Sequence, residues 1–204
     1  MESTLIAAVV LAAGLSRRMG QAKLLLPVGG RAIIRHAVEA VLAGGIDSAW
    51  VVTGPDVEPI AAALAGLDVQ VVVNPTPEEG QAGSLRAGIT ALPATVDAVL
   101  IALGDQPALA PVIIPALLAA RRTSAKPIVA PRYRDGQGNP VLFKRQIFPE
   151  LLGLTGDRGA RPIIRKDPSR VEWVDLDLPM PPDVDTPGDY EKIRTALRAG
   201  KTPE

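Results

Sequence analysis

Leu5-Ile6-Ala7-Ala8-Val9-Val10-Leu11 is an unbroken apolar run, and it passes directly into Ala12-Ala13-Gly14-Leu15-Ser16-Arg17-Arg18-Met19-Gly20-Gln21-Ala22-Lys23. A short run without polar alternation predicts a strand buried on both faces, as in parallel sheets covered by helices. Ala49–Thr53, Val69–Val73, Ala98–Leu103 and Ile128–Ala130 read the same way. Helical spacing is found between them over Ile33–Ala43, Val57–Ala65, Ser84–Ala91 and Val112–Arg121, with Pro111 read as a first-turn proline of the last. Alternating strands and helices imply an α/β fold with right-handed crossovers and a mostly parallel sheet. Ligands of such sheets collect outside the carboxyl ends of the strands, so the residues just after each strand are where chemistry is expected.

The second half is less regular. Tyr133 to Phe143 carries Gly136, Gly138 and Pro140, which predicts a turn entering a strand, a segment expected to lie over the sheet. Val171–Leu176 reads as another strand, and Pro187–Arg198 as a closing helix with Thr186 as N-cap and proline at N1. The expectation is one domain over residues 1–198, with a nucleotide-binding half at 1–110, an acceptor half at 111–198 and a tail at 199–204.

Composition narrows the chemistry. Lysine plus arginine and aspartate plus glutamate both number 22, so no net field draws in a polyanion, and no basic patch marks a nucleic-acid partner. With no cysteine and a single histidine, His36, any metal must be held by oxygen. His36 falls within a helical stretch and reads as structural. The first apolar run is far too short to span a bilayer and no basic segment precedes it, so the expected setting is the cytoplasm, with no membrane partner.

The loop after the first strand has the residue types that hold a triphosphate. Gly14 and Gly20 permit close backbone approach, so that successive amides can face one concavity, while Arg17, Arg18 and Lys23 supply positive charge. Arginine grips phosphate as a fork, whereas lysine acts as a point charge that can follow charge as it develops. The spacing fits neither the GxxxxGK[ST] loop nor the GxGxxG fingerprint.

The run Leu11 to Lys23 resembles the LAAGxSxRMGxxK signature of the molybdenum cofactor nucleotidyltransferases and, more loosely, that of the sugar-nucleotide and CDP-methylerythritol pyrophosphorylases. That resemblance implies a three-layer sheet with a Rossmann-like nucleotide-binding half, like the nucleotide-diphospho-sugar transferases. It implies that Leu11, Ala12, Ala13, Gly14, Ser16 and Arg18 cradle the nucleotide, with Lys23, Arg17 and Asp105 catalytic. Asp105, in Leu103-Gly104-Asp105-Gln106-Pro107, matches the family's metal-binding aspartate, and Asp185 in Asp183-Val184-Asp185-Thr186-Pro187 matches its partner on Mg2+. Read as residues alone, Asp105 is better taken as a turn residue before Pro107, an order that the resemblance reverses, and Asp183 reads as a solvated turn.

Asn74-Pro75 with Gly80-Gln81-Ala82-Gly83-Ser84-Leu85 is similar to the family's nucleoside-pocket stretch, which assigns Gly80 and Ser84 to base or ribose; Ser84 as a helix N-cap is the alternative. Gly138-Asn139-Pro140-Val141-Leu142-Phe143 and Gly156-Asp157-Arg158-Gly159-Ala160-Arg161 resemble segments of the cytidylyl-transferring, MocA-like members, where Arg161 would meet the acceptor phosphate. Ala13 stands where guanylyl-transferring relatives have glycine, which leans to CTP. The resemblance thus implies CTP and the molybdopterin cofactor as substrates, pyrophosphate as product, and a molybdoenzyme or its chaperone as recipient. Guanylyl, sugar-phosphate or methylerythritol transfer are the alternatives. So is a non-catalytic cofactor-binding chaperone, whose mark would be loss of Lys23, Asp105 or Asp185; all three are present.

Overall fold

The computed structural model describes residues 5–14 and 19–198. Strands β1 (Leu5–Ala12), β4 (Ser48–Thr53), β5 (Val69–Val73), β6 (Val96–Leu103), β7 (Ile128–Tyr133), β9 (Val141–Lys144) and β10 (Val171–Asp175) form one sheet in the order β10-β7-β9-β6-β1-β4-β5. β8 (Gly136–Gln137) pairs on β7, and β2 (Pro27–Val28) with β3 (Arg31–Ala32) makes a separate small hairpin. The helices are α1 (Ile33–Ala43), α2 (Glu58–Ala63), α3 (Gln81–Ala91), α4 (Ile113–Thr123), α5 (Phe148–Leu152), α6 (Arg161–Lys166) and α7 (Pro187–Arg198).

β1 shows why the apolar run must be a central strand. Its residues alternate between two cores: Ala8, Val10 and Ala12 pack with α1 and α4 on one face, and Ala7, Val9 and Leu11 pack with α3 and α5 on the other. Every side chain from Ala7 to Ala12 is buried, so neither face tolerates a polar residue. Parallel neighbours flank β1 on both sides, β4 and β6, with Ala12 opposite Thr53 and Leu11 opposite Leu103. The chain runs from β1 outward through β4 and β5 and returns to β6, so the strand order reverses at β1 and a crevice opens between the β1 and β6 ends.

Three sequence expectations change. The Val141–Phe143 segment does not lie over the sheet: β9 enters it, antiparallel to both β6 and β7, because the turn carrying β8 reverses the chain before the strand forms. Pro111 precedes α4, whose N-cap is Val112; Pro115 occupies the first turn instead, where the missing N–H had no intrahelical partner. Helix α3 begins at Gln81, not at Ser84, and Gly80 is its N-cap at φ 87. The orphan donors at that end are satisfied from a distant loop, since Gln81 N donates to Asp157 Oδ1 (3.0 Å) and Ala82 N to the Gly156 carbonyl (3.1 Å). A Cβ at Gly80 would stand 2.9 Å from the Gly156 backbone, so only glycine allows the two segments to meet.

Thr186 does cap α7. Its hydroxyl accepts from Asp189 N (3.2 Å) while Asp189 Oδ2 accepts from Thr186 N (2.8 Å), a reciprocal capping box. His36 Nε2 donates to the Val28 carbonyl at 2.8 Å, tying α1 to the hairpin, so its role is structural.

Candidate active site

The crevice opens into a cavity of ≈ 1620 Å³ that reaches from the loop after β1 to the segment before α6. Lys23 enters it from a short 3-10 turn (Lys23–Leu25), Asp105 from the end of β6, and Asp185 from the stretch before α7. The Lys23 ammonium donates to Asp105 Oδ2 (2.7 Å) and Asp185 Oδ1 (2.9 Å), joining residues 82 and 162 positions apart. Its side chain is only 10% exposed. Burial weakens the charged form, yet attraction to Asp105 and the hydrogen bonds to both carboxylates outweigh it and raise the Lys23 pKa above the usual lysine value. A lysine held this way stays a cation at any physiological pH.

The C-terminal segment is docked by the residues beside Asp105. Val184 N donates to the Asp105 carbonyl (3.0 Å), and buried Gln106 donates through Nε2 to the Pro181 carbonyl (3.1 Å) and to Asp183 Oδ1 (2.9 Å). Asp183, expected as a solvated turn, instead lines the cavity. Partial burial, followed by the negative charge of Asp105, raises its pKa, while the Gln106 hydrogen bond opposes the rise. Its placement depends on Gln106, 77 positions back along the chain, and no local spacing signals that contact.

Each expected site residue has a definite position or lies outside the description. Leu11, Ala12, Ala13 and Gly14 line the cavity at the end of β1, and Gly80 and Ser84 line it from α3. Ser16, Arg17 and Arg18 lie outside the described residues. Ser84 is buried inside the helix, and its Oγ accepts from Asn74 Nδ2 (3.1 Å), so Asn74 sets the height of the helix against the end of β5. Arg161 lines the opposite end, together with Arg158, Arg165 and Trp173, which sequence reasoning did not single out. The Tyr133 hydroxyl donates to the Asn139 carbonyl (2.6 Å) and holds the Gly138–Asn139 turn at this end.

Two carboxylates that converge on one ammonium also suit a small divalent cation, with all-oxygen donors and room for phosphate and water to complete its shell. Among the described residues no group of three or more carboxylate or histidine side chains forms a closed metal cage. A divalent cation on Asp105 and Asp185 would need water or phosphate oxygens to complete its shell. No helix among the described residues is long and apolar enough to cross a membrane.

Comparison with known proteins gives the family. The chain is 31% identical over 189 residues to nicotine blue oxidoreductase from Paenarthrobacter nicotinovorans, covering 89% of this chain and 92% of that one. It superposes on a nucleotidyl transferase from Methanothermobacter thermautotroptrophicus with a TM-score of 0.80 at 30% identity, over 97% of this chain and 100% of that one. A protein from Mycobacterium tuberculosis H37Rv, Rv0371c, whose structure has been solved as a complex with manganese, superposes with a TM-score of 0.79 at 31% identity, over 95% and 100%. The fold is also that of 4-diphosphocytidyl-2C-methyl-D-erythritol synthase from Anaerococcus prevotii, with a TM-score of 0.77 at 18% identity over 96% of each chain. Residues 8–171 match the MobA-like NTP transferase domain, and a chain that carries this domain over most of its length, with its lysine and two aspartates gathered at the β1–β6 crevice, belongs to the MobA-like NTP transferase family.

Proposed function

We propose that this NTP transferase moves CMP from CTP to the phosphate of a molybdopterin-type molybdenum cofactor and releases pyrophosphate. The observation that carries the transfer reading is the meeting of Lys23, Asp105 and Asp185 in one cavity beside the loop after β1. Asp105 and Asp185 hold magnesium, which when bound neutralises phosphate charge. Lys23, exchanging its carboxylate partners for phosphate oxygens, stabilises charge on the departing pyrophosphate. Arg17 and Arg18, with the backbone from Leu11 to Gly14 and Ser16, cradle the triphosphate; Gly80 and Ser84 meet the nucleoside, and Arg161 the acceptor phosphate. No side-chain nucleophile is needed, in keeping with a chain that has no cysteine. Residues 1–110 then form the nucleotide half and 111–198 the acceptor half of a single unit. CTP is preferred because the Ala13 methyl narrows the pocket floor, a difference worth about 1–3 kcal/mol.

The test is pyrophosphate release with magnesium and CTP, GTP, ATP or UTP, with and without molybdenum-loaded molybdopterin. Release that requires CTP and the pterin upholds the proposal. Release with GTP, or with a sugar phosphate or methylerythritol phosphate, keeps the transfer chemistry and replaces the substrates, whereas binding of the cofactor without release favours a carrier role. The relative named for nicotine blue calls for one control: a change in nicotine blue absorbance on incubation with the protein would point away from transfer.

A further inference from the structure

The acceptor end of the cavity carries three arginines that no carboxylate neutralises. Arg31, Arg86, Arg132 and Arg170 each sit on a carboxylate. Arg158, Arg161 and Arg165 line the cavity, and their side chains make no hydrogen bond or ion pair with any described residue. Arg161 and Arg165 are four apart on α6 and so share a helix face, and Arg158 lies one short turn before them. Ile163 anchors α6 in the same core against which Trp173 packs, and Trp173 lines the same cavity as the three arginines. Unpaired guanidiniums in a cavity have the geometry to take a phosphate or another polyanionic group.

The same segment is bound to the nucleotide side. The carbonyls and carboxylate of residues 154–157 receive Arg86 Nη1 (2.8 Å, from Leu154 O), Ala82 N (3.1 Å, from Gly156 O) and Gln81 N (3.0 Å, from Asp157 Oδ1), all from α3. Helix α3 carries Gly80 and Ser84 at the nucleoside side of the cavity. Asp157, adjacent to Arg158, is thus the only side-chain link among these bonds that comes from the arginine segment.

We propose that residues 156–165 form an anion-binding arm, which takes a phosphomonoester acceptor on Arg158, Arg161 and Arg165, and which Asp157 fastens to α3 so that a bound NTP strengthens acceptor binding. Asp157 is a positioning residue: it touches neither substrate, and it acts by fixing the first turn of α3 against the arm. Coupling of this kind is reciprocal, so the acceptor strengthens NTP binding by the same factor.

The inference rests on the nucleotidyl-transfer reading, and two calorimetric titrations separate their failures. Phenyl phosphate is titrated into the protein alone and into the protein saturated with the α,β-methylene analogue of its NTP. The expected result is binding at least about fivefold tighter with the nucleotide. Asp157→Ala abolishes that difference and Asp157→Asn, which keeps an oxygen acceptor, restores it, while Arg158→Ala with Arg165→Ala weakens phenyl phosphate about tenfold or more, as loss of charge-assisted bonds requires. Equal affinity with and without nucleotide in the unaltered protein, or coupling that survives Asp157→Ala, overturns the arm. Coupling without any pyrophosphate release upholds the arm and counts against transfer; release without coupling does the reverse.

Discussion

Lys23 lies between Asp105 and Asp185, the two carboxylates proposed to hold the metal. Removing its charge takes from both carboxylates the ammonium they share in a partly buried site, and magnesium is the cation proposed to take its place. Lys23→Ala should therefore melt at a lower temperature in chelator and recover with added magnesium, while the unaltered protein without nucleotide responds little. An equal response of both in thermal melts would show that the carboxylates are not a cation pair. Under the proposed chemistry Lys23→Ala and Asp105→Ala each lower turnover by about two to three orders of magnitude, with circular dichroism unchanged in magnesium. At the other carboxylate of this region, Asp189, the Thr186 hydroxyl and the backbone donors hold the pKa below the usual aspartate range. A depressed folded pKa contributes stability above the unfolded value of about 3.9 and loses it as pH falls through the folded value. Asp189→Asn should flatten the acid limb of a stability-against-pH curve; an unchanged limb would remove the capping box from the account.

Helix α3 shows packing outweighing intrinsic preference. Gly88 lies in its interior, where alanine is worth about 1 kcal/mol more on propensity alone. A Cβ there would stand 2.5 Å from Val9 Cγ1 on β1 and 3.0 Å from Val52 Cγ2 on β4, so the helix would have to lift from the sheet. Overpacking of that kind costs about 1–3 kcal/mol, and the sum favours destabilisation. Gly88→Ala is expected to lower the urea midpoint, and a raised midpoint would mean that the helix moves outward freely. Since α3 also bears Gly80 and Ser84, the same variant should weaken nucleotide binding more than an equally destabilising change on α4.

At the scale of the molecule, the C-terminal segment closes the site. Val184 and Ile193 are buried in the core beneath α1 and α4, and Val184 N is bonded to the Asp105 carbonyl. Burying each such side chain contributes about 1.5–3 kcal/mol, and Asp185 comes with them. A chain ending at residue 180 should unfold at clearly lower temperature and lose pyrophosphate release; a truncated protein as stable as the whole would make this segment a mere addition. The sheet explains why the ends meet here: β1 and β6 are parallel neighbours, so their carboxyl ends share one crevice although Leu11 and its partner Leu103 are far apart in the chain.

Local pattern alone determined the α/β alternation, the buried run of β1 and the positions of Gly14 and Asp105 just beyond strand ends, because a strand buried on both faces must be apolar throughout and its terminus must open to solvent. The MobA-like signature was legible in the same stretch. Tertiary structure alone decided that β9 runs antiparallel between β6 and β7, that Gln106 draws Asp183 into the cavity, and that α3 is capped by Gly156 and Asp157 instead of by Ser84. Each of those depends on groups tens of residues apart meeting within about 3 Å, the range of a hydrogen bond, and no periodicity in the chain carries that distance.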